Sequence, residues 1–309
     1  MISVIMGAYR EKPEILSEAV ESILSQTFKN LELIVILDDP ENTHLQKYLE
    51  EAEKKDRRVR FFINEKNMGL SKTLNRALSL SQGDYIARMD ADDISLPERL
   101  QKQLEWLQLH DLDLVGGELQ MIDESGNPIY SIQTIPSDPE QVKKALKYGT
   151  PIPHPTWLVK REVYDTLSGY RAVPQTEDYD FLIRAVLKGY RCGSVPQRVL
   201  KYRMTKDSVS RTGLYTQYLY MKALSAAYSK GYPVDIKDIQ MIMTSGVDPK
   251  KSRKYAEANA LLNLMLSQIE NHEYKGFVPN GFRLLFTSRP FLDKIKRFAL
   301  MNCIAKRKS

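Results

Sequence analysis

The chain of 309 residues has no apolar run approaching the roughly 18 residues that would cross a bilayer. Met1 leads straight into the strand-like Ile2-Ser3-Val4-Ile5-Met6, with no basic segment and apolar signal core before it. The expectation is therefore a cytoplasmic protein. There are only two cysteines, Cys192 and Cys303, far apart and at no ligand spacing, which argues against a disulfide framework or a structural zinc site. With 15 Gly, 15 Pro and 42% hydrophobic residues the chain is neither collagen-like nor disordered. No glycine-rich dinucleotide fingerprint follows the first strand, where only Gly7 occurs, and no P-loop is present, which argues against an NAD enzyme and a P-loop NTPase. No serine is flanked as in a nucleophile elbow.

Net positive charge is absent from most of the chain. The formal net charge is +6, but residues 283–309 hold four Lys, four Arg and one Asp, a local +7, which leaves the first 282 residues slightly acidic. A nucleic-acid partner would want basic residues on the folded body, interleaved with stacking aromatics; a basic tail points to a local contact with something anionic.

What is present is an alternation of strand and helix signals. Val4-Ile5-Met6, Leu31–Leu37, Val59–Ile63 and Tyr85-Ile86-Ala87 read as buried strands. Between them lie a helix opening at Pro13, a charged helix over Glu41–Lys55 and an amphipathic helix with Leu70, Leu74, Ala77 and Leu78 on one face. Ser95-Leu96-Pro97-Glu98 reads as a capping box opening the next helix. Strands alternating with helices of this length predict an α/β fold with a mostly parallel sheet and helices on both faces. Leu112–Ile122 and the turn Asp123–Pro128 predict a hairpin. A helix near Pro139–Lys147, the loop Pro151-Ile152-Pro153-His154-Pro155, another strand and a helix from Asp178 to Lys188 closed by Gly189 follow. Beyond Arg211 only helix signals remain, so the division is placed at 1–211 and 212–309.

Ligands of open parallel sheets bind at the carboxyl ends of strands, near the point where strand order reverses. Three polar clusters fall there: Gly7-Ala8-Tyr9-Arg10, Asp38-Asp39-Pro40 and Asp90-Ala91-Asp92-Asp93. Three carboxylates in four residues repel one another unless a cation or donors neutralise them, and a hard divalent cation bridging to a nucleotide diphosphate suits them. The other reading is a solvated turn in which Asp93 or Ser95 caps the following helix. Tyr9 offers a ring for stacking, Asp38-Asp39 carboxylates for a base edge or ribose, Asn67-Met68-Gly69 a close backbone approach, and Lys72 a cation for phosphate. Glu177-Asp178 either simply suits a helix N-terminus or supplies a general base. His154, between two prolines, either touches a ligand or bonds within its own loop.

Taken in order, Ser3-Val4-Ile5-Met6 with Tyr9, Ser22–Leu33, Asp38-Asp39, Asn67-Met68-Gly69-Leu70, Ala87-Arg88-Met89-Asp90-Ala91-Asp92-Asp93 with Pro97-Glu98-Arg99-Leu100, and Glu177-Asp178-Tyr179-Asp180 resemble the inverting family 2 glycosyltransferases of GT-A fold, over about residues 1–205. The resemblance implies a nucleotide-sugar donor, usually a UDP-sugar, bound with Mn²⁺ or Mg²⁺. It implies Asp178 as catalytic base, Asp92 as metal ligand, and a donor site from Ala8, Tyr9 on the base, Asp39 on the base edge, Asn67, Gly69, Lys72, Asp90 and His154. Leu74 stands where the commonest pattern has Arg, so the phosphate role passes to Lys72. Thr205 stands where many members have His. The segment Ile152–Thr156 resembles a subgroup acting in capsule, exopolysaccharide and O-antigen assembly, which implies a glycan or undecaprenyl-linked acceptor. The absence of Gln-x-x-Arg-Trp implies that one sugar is added.

Two rivals stand beside this reading. A sugar-nucleotide pyrophosphorylase normally carries a glycine-rich phosphate loop, which is missing here. A non-catalytic sugar-nucleotide-binding scaffold would bind donor without turnover. Finally, Phe291, Leu292, Ile295, Phe298 and Asn302 share one helical face beside Arg289, Lys294, Lys296, Arg297 and Lys306-Arg307-Lys308. That is either an amphipathic segment lying on the inner face of the cell membrane or a helix docked on the core with a solvated basic end.

Overall fold

A computed structural model describes residues 1–133, 135–204, 213–270 and 277–306. Among the described residues nine strands form one sheet in the order β3-β2-β1-β4-β8-β6-β9-β5, with β7 paired to β6. The strands β1 (Ile2–Ala8), β2 (Leu31–Leu37), β3 (Val59–Ile63) and β4 (Tyr85–Asp90) pair in parallel, as the alternation predicts. β1 and β2 are nearly continuous apolar runs because both of their faces are covered. Their side chains alternate between two cores. Val4, Met6, Leu33 and Val35 meet α1 (Pro13–Leu24), α2 (Thr43–Lys55) and α4 (Arg99–Leu109); Ile5, Ile34 and Ile36 meet α3 (Leu70–Leu80), α6 (Arg161–Leu167) and α7 (Glu177–Leu187).

Beyond β4 the sheet is mixed. β8 (Leu158–Lys160) runs antiparallel to both β4 and β6 (Leu114–Ile122), while β6 pairs in parallel with β9 (Cys192–Arg203) and antiparallel with β7 (Pro128–Ile132). Short β5 (Ile94–Ser95) closes against β9. The helix α5 (Pro139–Ala145) carries Asp138 as its N-cap, and the 3-10 turn His154–Thr156 feeds β8. That turn lies against β6 because Gly116 has no side chain: a Cβ there would stand 2.1 Å from Ile152 Cγ2.

Local expectations are corrected at two helix starts. α2 begins at Thr43, where the Asn42 side chain accepts from Leu45 N at 3.2 Å, rather than at Glu41. The capping box at Ser95 does not form, since Ser95 lies in β5 and α4 starts at Arg99 without a side-chain cap from Glu98. Gln26, from the end of α1, takes over: its Oε1 accepts from Leu100 N at 3.1 Å and its Nε2 donates to Leu96 O at 2.7 Å. A cap supplied from 74 residues away cannot be read from local spacing. At the other end of α7, Gly189 at φ +94° takes the left-handed turn expected of it.

The elements described after β9 are the helices α8 (Leu214–Ser229), α9 (Ile236–Thr244), α10 (Pro249–Glu270), α11 (Phe277–Thr287) and α12 (Arg289–Lys306). The boundary expected at residue 211, and Thr205, lie outside the described residues. α8 joins the helical region to the sheet layers, with Tyr220, Leu224 and Ala227 in the α7-side core and Tyr215 and Tyr218 in a third cluster with Tyr255 and Phe291. The first turns of α12 are docked. Phe291 is buried, Ile295 packs on the third cluster, and Arg297 donates to Asp293, to Ser225 Oγ and to Lys147 O. Phe298 is exposed, and Arg307 and Lys308 lie outside the described residues.

Candidate active site at the carboxyl ends of β1, β2 and β4

The chain steps outward from β1 to β2 and β3, then returns to place β4 on the other side of β1. The strand order therefore reverses between β1 and β4, and the register sets Gly7 beside Asp90 there, with Ala8 beside Leu37. The three polar clusters picked from the sequence thus share one end of the sheet.

The two aspartates after β2 have different tasks. Asp38 is buried and accepts hydrogen bonds from Asn64 Nδ2 at 2.6 Å, Met68 N at 2.8 Å and Gly69 N at 2.9 Å, pinning the loop that leads into α3. Gly69 is required at φ +78° to start that helix. Asp39 is half-buried at the cleft, paired with Arg10 at 3.2 Å, while the Arg10 guanidinium lies 4.6 Å over the partly exposed Tyr9 ring. Losing three bonds to a buried carboxylate is expected to lower the unfolding free energy of Asp38→Ala by about 2–4 kcal/mol. Asp39→Ala should stay within about 1 kcal/mol of the parent; urea unfolding of the two variants side by side checks this, and equal stabilities would remove the pinning role.

Ala8 is buried at the end of β1, where its carbonyl accepts from Asp38 N at 2.7 Å. Asn67 and Lys72 are exposed, the latter on the first turn of α3. Leu74 points into the core, which gives a physical reason for its departure from arginine, and Arg76 is occupied by Ile63 O and Asn64 Oδ1, both at 2.6 Å.

Asp90, Asp92 and Asp93 place carboxylate oxygens within 4.8 Å of one another. Asp93 is fully buried. Its Oδ1 accepts from Arg203 N at 2.9 Å, so it ties β9 to this loop instead of capping α4, while its Oδ2 has no hydrogen-bond partner among the described residues. Burial, then the charges of Asp90 and Glu11, push the Asp92 carboxyl up to about 7. Burial, then Asp90 and Asp92, raise that of Asp93 well above the usual range. A crowded, partly desolvated set of oxygen donors with an unpartnered buried oxygen fits a hard divalent cation, for which these three residues are the candidate holders.

Asp178 opens α7 with Oδ1 accepting from Tyr179 N at 2.7 Å. Burial raises its carboxyl to about 6, against which the Tyr179 N–H and the Arg88 guanidinium act. Glu177 beside it is buried and raised to about 7, by burial and then by Asp178. Both carboxyls also sense Asp90, so the N-terminus of α7 and the acidic loop form one electrostatic unit.

His154 is placed differently from an open cleft residue. It is 7% exposed, its Nε2 lies 2.7 Å from Tyr170 Oη, and Tyr170 in turn bonds Tyr164 Oη at 2.8 Å. Burial, then Arg88, holds its imidazole well below the usual value and therefore neutral.

Three residues given no role from the sequence organise the site. Arg88, buried on β4, pairs with Asp90 and lowers the carboxyls of Asp92, Asp93, Glu177 and Asp178. Arg203 bonds Asp92 O at 2.9 Å as well as Asp93. Glu11 accepts from Tyr9 N at 2.7 Å and faces the acidic loop. The one available signal was an arginine inside an otherwise apolar strand directly before the acidic triplet; Arg203 and Glu11 had none.

A reversing α/β sheet with an acidic loop at its switch point and a helical C-terminal region is the GT-A arrangement. The crystal structure of S. aureus TarS residues 1–349 in complex with UDP-GlcNAc shares this fold over 99% of this chain and 90% of that one, at a TM-score of 0.61 and 16% identity. The family model for glycosyl transferase family 2 matches residues 3–168. The putative glycosyltransferase EpsE of Bacillus subtilis is 37% identical over 214 residues, covering 68% of this chain and 75% of that protein. The O-antigen biosynthesis glycosyltransferase WbnJ of Escherichia coli is 32% identical over 216 residues, covering 69% and 84%. The chain belongs to glycosyl transferase family 2.

Proposed function

We propose that this glycosyltransferase moves one sugar from a UDP-sugar to a glycan or undecaprenyl-linked acceptor, with inversion, in the synthesis of a bacterial surface polysaccharide. The observation that carries the reading is the assembly, in a family 2 chain, of the acidic triplet, the Tyr9 and Asp39 rim and the Asp178 carboxylate around one strand-order reversal. The O-antigen biosynthesis in which WbnJ acts and the complex of TarS with UDP-GlcNAc support the substrate class.

Tyr9 stacks on the base, Asp39 meets its edge, Asn67 and Gly69 approach the ribose, and Lys72 reaches a phosphate. Asp178 takes a proton from an acceptor hydroxyl, whose oxygen bonds to the anomeric carbon as the bond to the diphosphate breaks. Asp92 would hold a Mn²⁺ or Mg²⁺, with Asp90 beside it to meet a ribose oxygen or a water on the ion, and the bound ion would supply positive charge against the diphosphate leaving group. Arg88 pairs with Asp90 and favours the ionised forms of the neighbouring carboxyls against the effect of their burial. His154 lies near the donor or acceptor. The domain division at about residue 211 and a peripheral contact of the basic tail with the inner membrane face complete the reading. No helix of the described residues is long and apolar enough to cross a membrane.

The test is a donor-hydrolysis screen of UDP-, GDP- and dTDP-sugars with Mn²⁺. Release of UDP from one or two UDP-sugars is expected; nucleotide binding with no turnover of any donor would favour a scaffold instead.

A further inference from the structure

The tail face picked out from the sequence is largely spent on the core, since Phe291 and Ile295 pack against the tyrosine cluster. A different apolar face has no partner among the described residues. On α11, Phe282 is 63% exposed, Leu285 55% and Phe286 85%, while Leu284 is buried against the same cluster. At about 100° per residue, 282, 285 and 286 fall on one face and 284 opposite them, so the helix is already anchored by its other side and these three side chains cannot turn inward. Exposed apolar side chains are ordinary when scattered singly; three large ones adjacent on one helical face mark an interaction surface.

Charge decides what covers it. Arg283, Arg289 and Lys296 are exposed and have no ion pair among the described residues, and Asp293, the one acid in residues 277–306, is already held by Arg297 and Tyr218. An apolar face whose neighbours along the chain are exposed and basic repels a second copy of itself and attracts an anionic plane into which Phe and Leu can sink. We infer that α11, with the start of α12, is the surface on which this protein docks to an anionic lipid bilayer. This deepens the membrane contact proposed above by assigning its residues, and it stands apart from the sugar-transfer reading because it uses none of the site.

Liposome flotation of the full chain tests it, with phosphatidylcholine vesicles with and without phosphatidylglycerol, at low and high salt. The chain is expected to float with the anionic vesicles at low salt only. Phe282→Ser with Leu285→Ser and Phe286→Ser, and separately Arg283→Glu with Arg289→Glu, should each cut the bound fraction by about tenfold or more. Circular dichroism should be unchanged, because the side chains are on the surface, and donor turnover in lipid-free buffer should be intact. Turnover lost in every form, with flotation retained, would sink the transferase reading alone. Failure of the wild-type chain to float, flotation indifferent to lipid charge, flotation of either variant equal to that of the wild type, or a dimer dissolved by the triple substitution would overturn the lipid assignment.

Discussion

Asp178→Asn is expected to slow sugar transfer by about 10²–10⁴-fold while leaving donor affinity within about twofold. The substitution keeps the shape of the side chain and the bond accepted from Tyr179 N, but the amide cannot take a proton from an acceptor hydroxyl. Wild-type kcat/KM should have an acid limb near pH 6, because burial raises this carboxyl to about 6 and the base works only when ionised; activity is lost as pH falls through that value. In the variant the limb should vanish from the residual rate. Transfer kinetics across pH, with donor binding measured by calorimetry, check both halves. Full turnover by Asp178→Asn, together with loss in Glu177→Gln, would move the base one residue back.

Asp92→Asn should abolish the thermal stabilisation that Mn²⁺ confers on the wild type. A cation at about 100 times its Kd stabilises a folded protein by about 2.7 kcal/mol, and a site without its central carboxylate loses that linkage. The same variant should be more stable than the wild type when metal-free at pH 8. The sign follows from the direction of the shift: burial, Asp90 and Glu11 raise the Asp92 carboxyl from the ordinary range to about 7 in the folded chain. Between about pH 4 and 7 the folded state therefore binds more protons than the unfolded one, stability falls as pH rises through that window, and the deficit persists above it. Removing the charge should recover about 1–2 kcal/mol at pH 8 and nothing at pH 4. Urea unfolding at both pH values, with and without Mn²⁺, measures this; an unchanged Mn²⁺ shift in the variant would take the cation away from Asp92.

Much of the site was legible because short-range physics writes it into adjacent residues. Asp90, Asp92 and Asp93 repel wherever the chain puts them, so three carboxylates in four residues mark a candidate site before any fold is known. The pair Asp38-Asp39 was only half legible. Spacing alone could not tell the carboxylate that pins the Asn64–Gly69 loop from the one left at the cleft, because that depends on which side of β2 each faces when α3 packs on. His154 was found as a residue but not as a neutral buried ring on Tyr170, a contact between a loop and a segment 16 residues later.

The apolar rhythm of β1 to β4 and their helices, the reversal point it implies and the acidic loop that lands there follow from residues close together in the chain, where periodicity and like-charge repulsion act over a few positions. The cap that Gln26 gives to α4, the mixed half of the sheet, the reach of the Arg88 charge to the carboxyls at the start of α7 and the exposed apolar face of α11 arise from pairings across tens to hundreds of residues. Burial and partner choice at those places come into being when the layers close, and the order of residues alone carries no record of them.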